Sequence, residues 1–206
     1  DWRPTASIEN IQQRAQLMAT VRDYFKQHNV LEVETPLLCA RTVTEPHIES
    51  IAIMTQQQTR YLQTSPEYAM KRLLAAGVPD CYQICKAFRQ SENGSRHNTE
   101  FTILEWYRLG FDLNQIIQET TGLIEILLGK PLAIKTISYC EAVKQVLECE
   151  LADLDLAFLM YQASSNGLVD AHRLSYEQCL DYVFSECVLP HVQHDGLCVI
   201  HGYPLA

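Results

Sequence analysis

The stretch Phe88–Tyr107, FRQSENGSRHNTEFTILEWY, decides how the rest of the chain is read. Upstream of it, CYQICKAFR (81–89) is largely apolar and ends on an arginine; downstream, TEFTILEWYRL (99–109) is rich in aromatic and β-branched residues. With a polar loop between them, the two runs predict the strands of a long antiparallel hairpin. Side chains alternate across a strand, so Phe101, Ile103, Glu105 and Tyr107 share one face, and Thr102, Leu104 and Trp106 take the other. If the Leu104 face packs on helices, the Phe101 face lines a cleft, with a flat ring at one end and an acid plus a phenol at the other. Arg89 ends the partner strand, where a guanidinium can grip a phosphate or carboxylate through two parallel hydrogen bonds. The arginine calls for an anion and the carboxylate for a cation. The plainer alternative is an exposed hairpin with Glu105 paired to Arg108 or Lys86. Against it, an unpaired carboxylate beside Trp106 in an otherwise apolar strand is costly, so the set as a whole reads as a site.

Outward from the hairpin the pattern is of mixed elements. Ile8, Ile11, Ala15, Met18, Val21 and Phe25 recur at steps of three and four behind Ser7, which predicts a capped amphipathic helix over 8–28. Val30, Leu31 and Val33 then form a short strand stopped by Pro36. HIESIAIMT and QQQTRYLQT read as a second hairpin with a polar connection. Ser65-Pro66-Glu67 supplies a capping serine, a proline at the first helical position and an acid in the first turn, and Gly77 ends that helix. Asp112 caps a third helix closed by Gly129-Lys130-Pro131, and Ser138-Tyr139-Cys140-Glu141 and Ser175-Tyr176-Glu177-Gln178 are capping boxes that start two more. LCVIHGYP (197–204) reads as a buried strand. Hairpins mixed with helices, without a regular βαβ rhythm, predict an α+β domain with an antiparallel β-sheet flanked by helices.

The chain has 206 residues, 47% of them hydrophobic, which suits one domain with a real core. A net charge of −9 excludes a surface that holds nucleic acid by bulk charge, so any nucleotide contact is local. No apolar run approaches the roughly 20 residues a membrane helix needs, and no signal-like segment opens the chain. The eight cysteines have no repeating spacing and read as reduced thiols of a cytoplasmic protein. Cys187, His191, His194 and Cys198 have a zinc-like spacing, but Pro190 and the Asp195-Gly196 turn interrupt the run. They read as a helix end, a loop and a buried strand, and no metal ligand is assigned in the chain.

FRQSENGSRHNTEFTILEWY resembles motif 2 of the class II aminoacyl-tRNA synthetases in its lysyl form. VLEVETPLL (30–38) is similar to the motif 1 that builds the dimer interface in that family. TSPEYAMKRLLAAG (64–77) is similar to the segment whose acid receives the substrate's amino group. Three matches in family order across residues 8–128 are far more specific than one pattern. WRPTASI, TVTEPHI and SPEYAMKRLL further resemble the branch of lysyl synthetase paralogues that modify elongation factor P with (R)-β-lysine.

The resemblance implies an ATP-dependent ligase that forms an aminoacyl-adenylate and passes it to a lysine of elongation factor P. It implies Arg89 as the catalytic group on the α-phosphate, Arg96 and His97 on the outer phosphates, Asn98 at the adenine edge and Phe101 stacked on the ring. Gln90, Ser91 and Glu92 complete the ATP side. Ser65 and Pro66 would shape the amino-acid end, Glu67 would take the α- or β-amino group, and Glu105 and Tyr107 the ε-ammonium. ATP, Mg²⁺ and a homodimer through the motif 1 region are implied; tRNA is not an expected partner. Ser91 stands where the family usually has an acid, so either Glu92 takes that role through a shifted loop or the contact is weakened. No motif 3 and no anticodon-binding domain are found in these 206 residues, which implies roughly the first two-thirds of a catalytic domain. A catalytic fragment of a lysyl-tRNA synthetase and a non-catalytic lysine- or nucleotide-binding relic stay open as alternatives.

Overall fold

Ser7 starts the first helix, α1 (Ile8–Gln27), by accepting the Asn10 amide on its Oγ at 3.1 Å. The computed structural model describes residues 2–45, 48–90, 97–192 and 195–204, which fall into two compact units, 1–116 and 117–206. The first unit holds α1, six strands and α2 (Glu67–Ala75). Its strands are β1 (Leu31–Glu32), β2 (Leu38–Cys39), β3 (Ala52–Met54), β4 (Thr59–Leu62), β5 (Cys81–Phe88) and β6 (Glu100–Tyr107).

The predicted long hairpin is present: β5 and β6 pair antiparallel from Cys81 opposite Tyr107 to Phe88 opposite Glu100. Facing residues on paired strands share a side, so Tyr82 and Trp106 stand together. Phe25 of α1 is fully buried against that side, stacked on Tyr82 at 4.4 Å and tilted against Trp106 at 5.6 Å between centroids. Arg14, further up the helix, donates to Thr102 Oγ1 at 2.8 Å. The Leu104 face therefore carries α1, as the alternation requires. The apolar stripe of α1 is buried only in its C-terminal half, at Val21, Tyr24 and Phe25, while Ile8 and Ile11 are exposed.

β3 and β4 form the second predicted hairpin, closed by the Thr55 amide donating to the Gln58 carbonyl. β2 adds to the other side of β4, a strand the sequence did not announce. The start of α2 lies one residue later than expected. Pro66 is the cap residue, because its carbonyl already accepts the Met70 amide, and Ser65 Oγ accepts the Glu67 amide at 3.3 Å. Gly77, at φ +94°, ends the helix where a side chain would be strained.

Helix α3 (Leu113–Leu128) spans the division between the units, and Asp112 and Gln115 cap its start reciprocally. In the second unit, β7 (Ile134–Ser138) leads into α4 (Tyr139–Leu147) through the predicted Ser138/Glu141 capping box. α5 (Leu156–Ser165) follows, then α6 (Tyr176–Val183) from the Ser175/Gln178 box. A π-helical stretch, Phe184–Val188, continues into α7 (Leu189–Val192), and β8 (Leu197–His201) returns to pair parallel with β7. Tyr139 stacks on Phe184 at 3.9 Å in a core that includes Leu159, Cys179, Val183 and Val188.

Among the described residues the strand pairing is not purely antiparallel: β2-β4-β3 is, β1-β5-β6 is mixed, and β7-β8 is parallel. β1 lies parallel to β5 and β7 parallel to β8, because helices intervene between the partners and a crossover permits parallel pairing. β8 is half-buried, not the fully buried strand its apolar run suggested. Of the Cys/His run, Cys187 is buried in the π-helical stretch, His191 Nδ1 sits 2.8 Å from the Cys187 carbonyl, Cys198 lies on β8, and His194 is outside the described residues. All eight cysteines are free thiols. Among the described residues no helix is long and apolar enough to cross a membrane.

Candidate active site

With α1 covering one face of the hairpin, its other face is left to build a cavity. That cavity, of about 260 Å³, is lined from β6 by Ile103 and Glu105, from β5's end by Arg89, from the start of α2 by Thr64, Ser65, Glu67 and Tyr68, and from the segment before β3 by Val43, Glu45 and Ile48. Its volume lies just under the lower end, near 300 Å³, of ordinary small-molecule sites, a size for an amino acid rather than a whole nucleotide.

Glu105 is the most sheltered of its acids. Burial pushes its carboxyl above the usual carboxylate range; the Tyr107 hydroxyl, donating at 2.7 Å, pulls it back, the nearby Glu67 charge adds to the rise and Lys71 offsets it. Tyr107 is itself held well above its ordinary value by burial and by that bond. The residue facing Glu105 across the hairpin is Gln83, 2% exposed, whose Oε1 accepts from Thr35 Oγ1 at 2.9 Å. Gln63 braces the next pair along, donating to the Lys86 carbonyl at 2.8 Å and to Cys85 Sγ at 3.2 Å. Buried amides of this kind must find partners, and in finding them they fix the strand beneath the carboxylate.

The pairings imagined for Glu105 are not the ones formed. Lys86 pairs with Glu100 at 2.9 Å and Arg108 with Asp80 at 3.2 Å, which leaves the Glu105 carboxylate to Tyr107 and the cavity. Glu67, in the first turn of α2, accepts from Lys71 Nζ at 2.7 Å, an exposed pair one turn apart that raises the lysine's pKa. Arg89 Nε reaches toward the Thr64 carbonyl at 3.4 Å, and its guanidinium carbon stands 5.1 Å from the centre of the Phe101 ring. That distance is within cation–π range.

Thus Arg89, Ser65, Glu67 and Glu105 meet in one cavity, and Tyr107 acts on it through Glu105. Pro66 is fully buried behind the α2 cap and does not line it. Phe101 lies beside Arg89 at the other end of the strand, while Gln90, His97 and Asn98 are exposed. Ser91, Glu92 and Arg96 lie outside the described residues. Glu45 was not singled out from the sequence; the only signal was an acid in TVTEPHI, quoted for the resemblance alone. A cavity with carboxylates along its length and a guanidinium at one end suits a small molecule that carries ammonium groups and one carboxylate. Among the described residues no three His, Cys, Asp or Glu side chains converge to hold a metal ion.

Residues 1–185 match the family described as tRNA synthetases class II (D, K and N). Over 99% of its length the chain is 36% identical to an elongation factor P–(R)-β-lysine ligase of Haemophilus ducreyi, covering 64% of that protein. It is 44% identical over 82% of its length to the ligase of that name from Vibrio vulnificus, and 38% identical over 98% to that from Pseudoalteromonas translucida. The chain spans 54% and 65% of the length of those two relatives.

Proposed function

The chain belongs to the class II tRNA synthetases (D, K and N), and from that premise we propose that it is the part of an ATP-dependent ligase that activates (R)-β-lysine, or lysine, and passes it to a lysine of elongation factor P. The observation that carries this reading is the cavity in which Glu67, Glu105 and Arg89 meet. A diamino acid presents two ammonium groups and one carboxylate, and these side chains offer two carboxylates and one guanidinium.

Glu105, with Tyr107 holding one of its oxygens, takes the ε-ammonium in the sheltered part of the cavity. An ammonium there needs a carboxylate partner, because a bare charge is costly out of water. Glu67 takes the second amino group, exchanging its exposed pairing with Lys71. The amino acid's carboxylate is thereby aimed toward Arg89, and Phe101, with Gln90, His97 and Asn98 further out, supplies a face for adenine. The substrate carboxylate oxygen attacks the α-phosphorus, a new P–O bond forms, and the bond to pyrophosphate breaks. Arg89 stabilises the charge that develops, and no side chain forms a covalent intermediate. In the second step the acceptor amine attacks the carbonyl carbon: the amide C–N bond forms, the bond to AMP breaks, and two protons leave the original ammonium. Mg²⁺, when bound, neutralises phosphate charge.

The exposed Leu31, Leu37 and Leu38 of the motif 1 segment support a homodimer through that region, since exposed apolar residues gathered in one short segment are a usual mark of an interface. Eight free thiols support a cytoplasmic location.

The test is pyrophosphate exchange by the full-length protein with (R)-β-lysine, followed by transfer to purified elongation factor P. Arg89→Ala is expected to lower exchange by about two to three orders of magnitude with the melting temperature preserved. Exchange by the variant near the wild-type rate would remove Arg89 from the α-phosphate. Transfer to tRNA and none to elongation factor P would make the protein a lysyl-tRNA synthetase instead.

A further inference from the structure

One carboxylate of the cavity is left over once the amino acid has been accommodated. Glu105 is sheltered and Glu67 half-exposed, whereas Glu45 is exposed, so the acids run from the interior outward with Glu45 at the mouth. Its backbone is held by its neighbours. Thr44 Oγ1 and the Tyr68 hydroxyl share a hydrogen bond of 2.6 Å that ties the segment to α2, Thr42 Oγ1 donates to Ser50 Oγ at 2.6 Å, and the Ile48 amide donates to the Glu45 carbonyl at 3.3 Å. A third carboxylate held at the rim of a site that already has two for a diamino acid calls for a further cation, one that arrives after the first substrate is bound.

We infer that Glu45 receives the side-chain ammonium of the acceptor lysine as it enters the loaded site. The inference rests on the reading of the preceding subsection, in which the second substrate is an amine. A rim carboxylate attracts such a substrate at a distance and orients its ammonium toward the adenylate, as interfacial charges do for association generally. The same carboxylate disfavours a polyphosphate acceptor, and the chain's net charge of −9 works in the same direction. Glu45 therefore favours a protein lysine over a nucleic acid at the second step. It forms no bond in the reaction, and the ammonium it holds must leave it and shed a proton before attack, so its effect falls on the acceptor's KM.

The experiment compares full-length wild type with Glu45→Gln and Glu45→Asp in three assays: amino-acid-dependent pyrophosphate exchange, transfer to elongation factor P, and transfer to hydroxylamine, a small amine uncharged at neutral pH. Glu45→Gln should raise the KM for elongation factor P about fivefold, the upper range for one exposed charge, and do so several times more than it shifts the amino-acid KM in exchange. It should flatten the salt dependence of that KM, leave hydroxylamine trapping less affected, and melt with the wild type. Glu45→Asp, which keeps the charge, should recover most of the loss. An equal rise in the amino-acid KM would place Glu45 among the groups that bind the first substrate and overturn the inference, as would an unaltered acceptor KM. Absence of exchange in the wild type would overturn the reading of the whole site, and Glu45 with it.

Discussion

The two faces of the β5–β6 hairpin are made from neighbouring residues and obey different rules. On one, Tyr82 and Trp106 close against Phe25, an aromatic cluster in which shape and burial decide everything. On the other, Glu105, Tyr107 and Arg89 keep polar groups half-sheltered around a cavity, at a cost visible in Glu105, whose carboxyl is pushed up by burial. The lesson is that a strand can be stabilised through one set of alternate positions and functional through the other, so long as the first face is strong enough to carry the second.

That division can be broken most sharply at Phe25. Phe25→Ala leaves a void under the hairpin and should cost about 3–5 kcal/mol in denaturant unfolding, the usual toll for a buried ring. A loss below about 1 kcal/mol would show that α1 does not hold the hairpin. Glu105→Gln should act in the opposite sense on the two properties. With one charged hydrogen bond to the substrate gone, the KM for lysine in exchange should rise about ten- to a hundredfold, well beyond any change in the KM for ATP. An equal change in both would argue against an ammonium partner.

The same variant should melt higher at neutral pH. A carboxyl whose folded pKa is raised favours folding below its ordinary pKa, and that contribution is lost as pH rises through the raised value. Glutamine keeps the neutral form throughout. Lysine binding should run the other way, weakening in the wild type as pH falls through the raised pKa, because the ammonium needs the ionised acid; the variant should lack this limb. The mildest change is Thr102→Val, on the α1 face, which removes the exposed bond from Arg14. It should shift stability by less than about 1 kcal/mol and leave both KM values alone. A kinetic effect there would mean that the two faces communicate.

Much of this was legible in the residues. Alternation alone separated Glu105 and Tyr107 from Trp106, and the capping boxes at Ser138 and Ser175 placed two helix starts. What escaped was long-range. β2 is two residues long and exists because β4 offers it an edge, and the parallel partners of β5 and β8 depend on which strands the intervening helices bring together. Glu45 escaped for a similar reason, since its segment reaches the cavity through the tie between the adjoining Thr44 and Tyr68 and not through any pattern of its own. The ATP side was legible mainly through resemblance, and Ser91, Glu92 and Arg96 lie outside the described residues.

The β5–β6 and β7–β8 pairs also differ in when they can form. Phe88 of β5 and its partner Glu100 of β6 are close in sequence, whereas Ile134 of β7 must wait for Leu197 of β8, with all of α4–α7 between them. Loop closure disfavours the distant pairing, so the surface that carries the carboxylates and the arginine matures ahead of the parallel pair. Pulsed hydrogen exchange during refolding should protect the β5–β6 amides first; simultaneous protection of β7 would show that the chain folds as a single cooperative step.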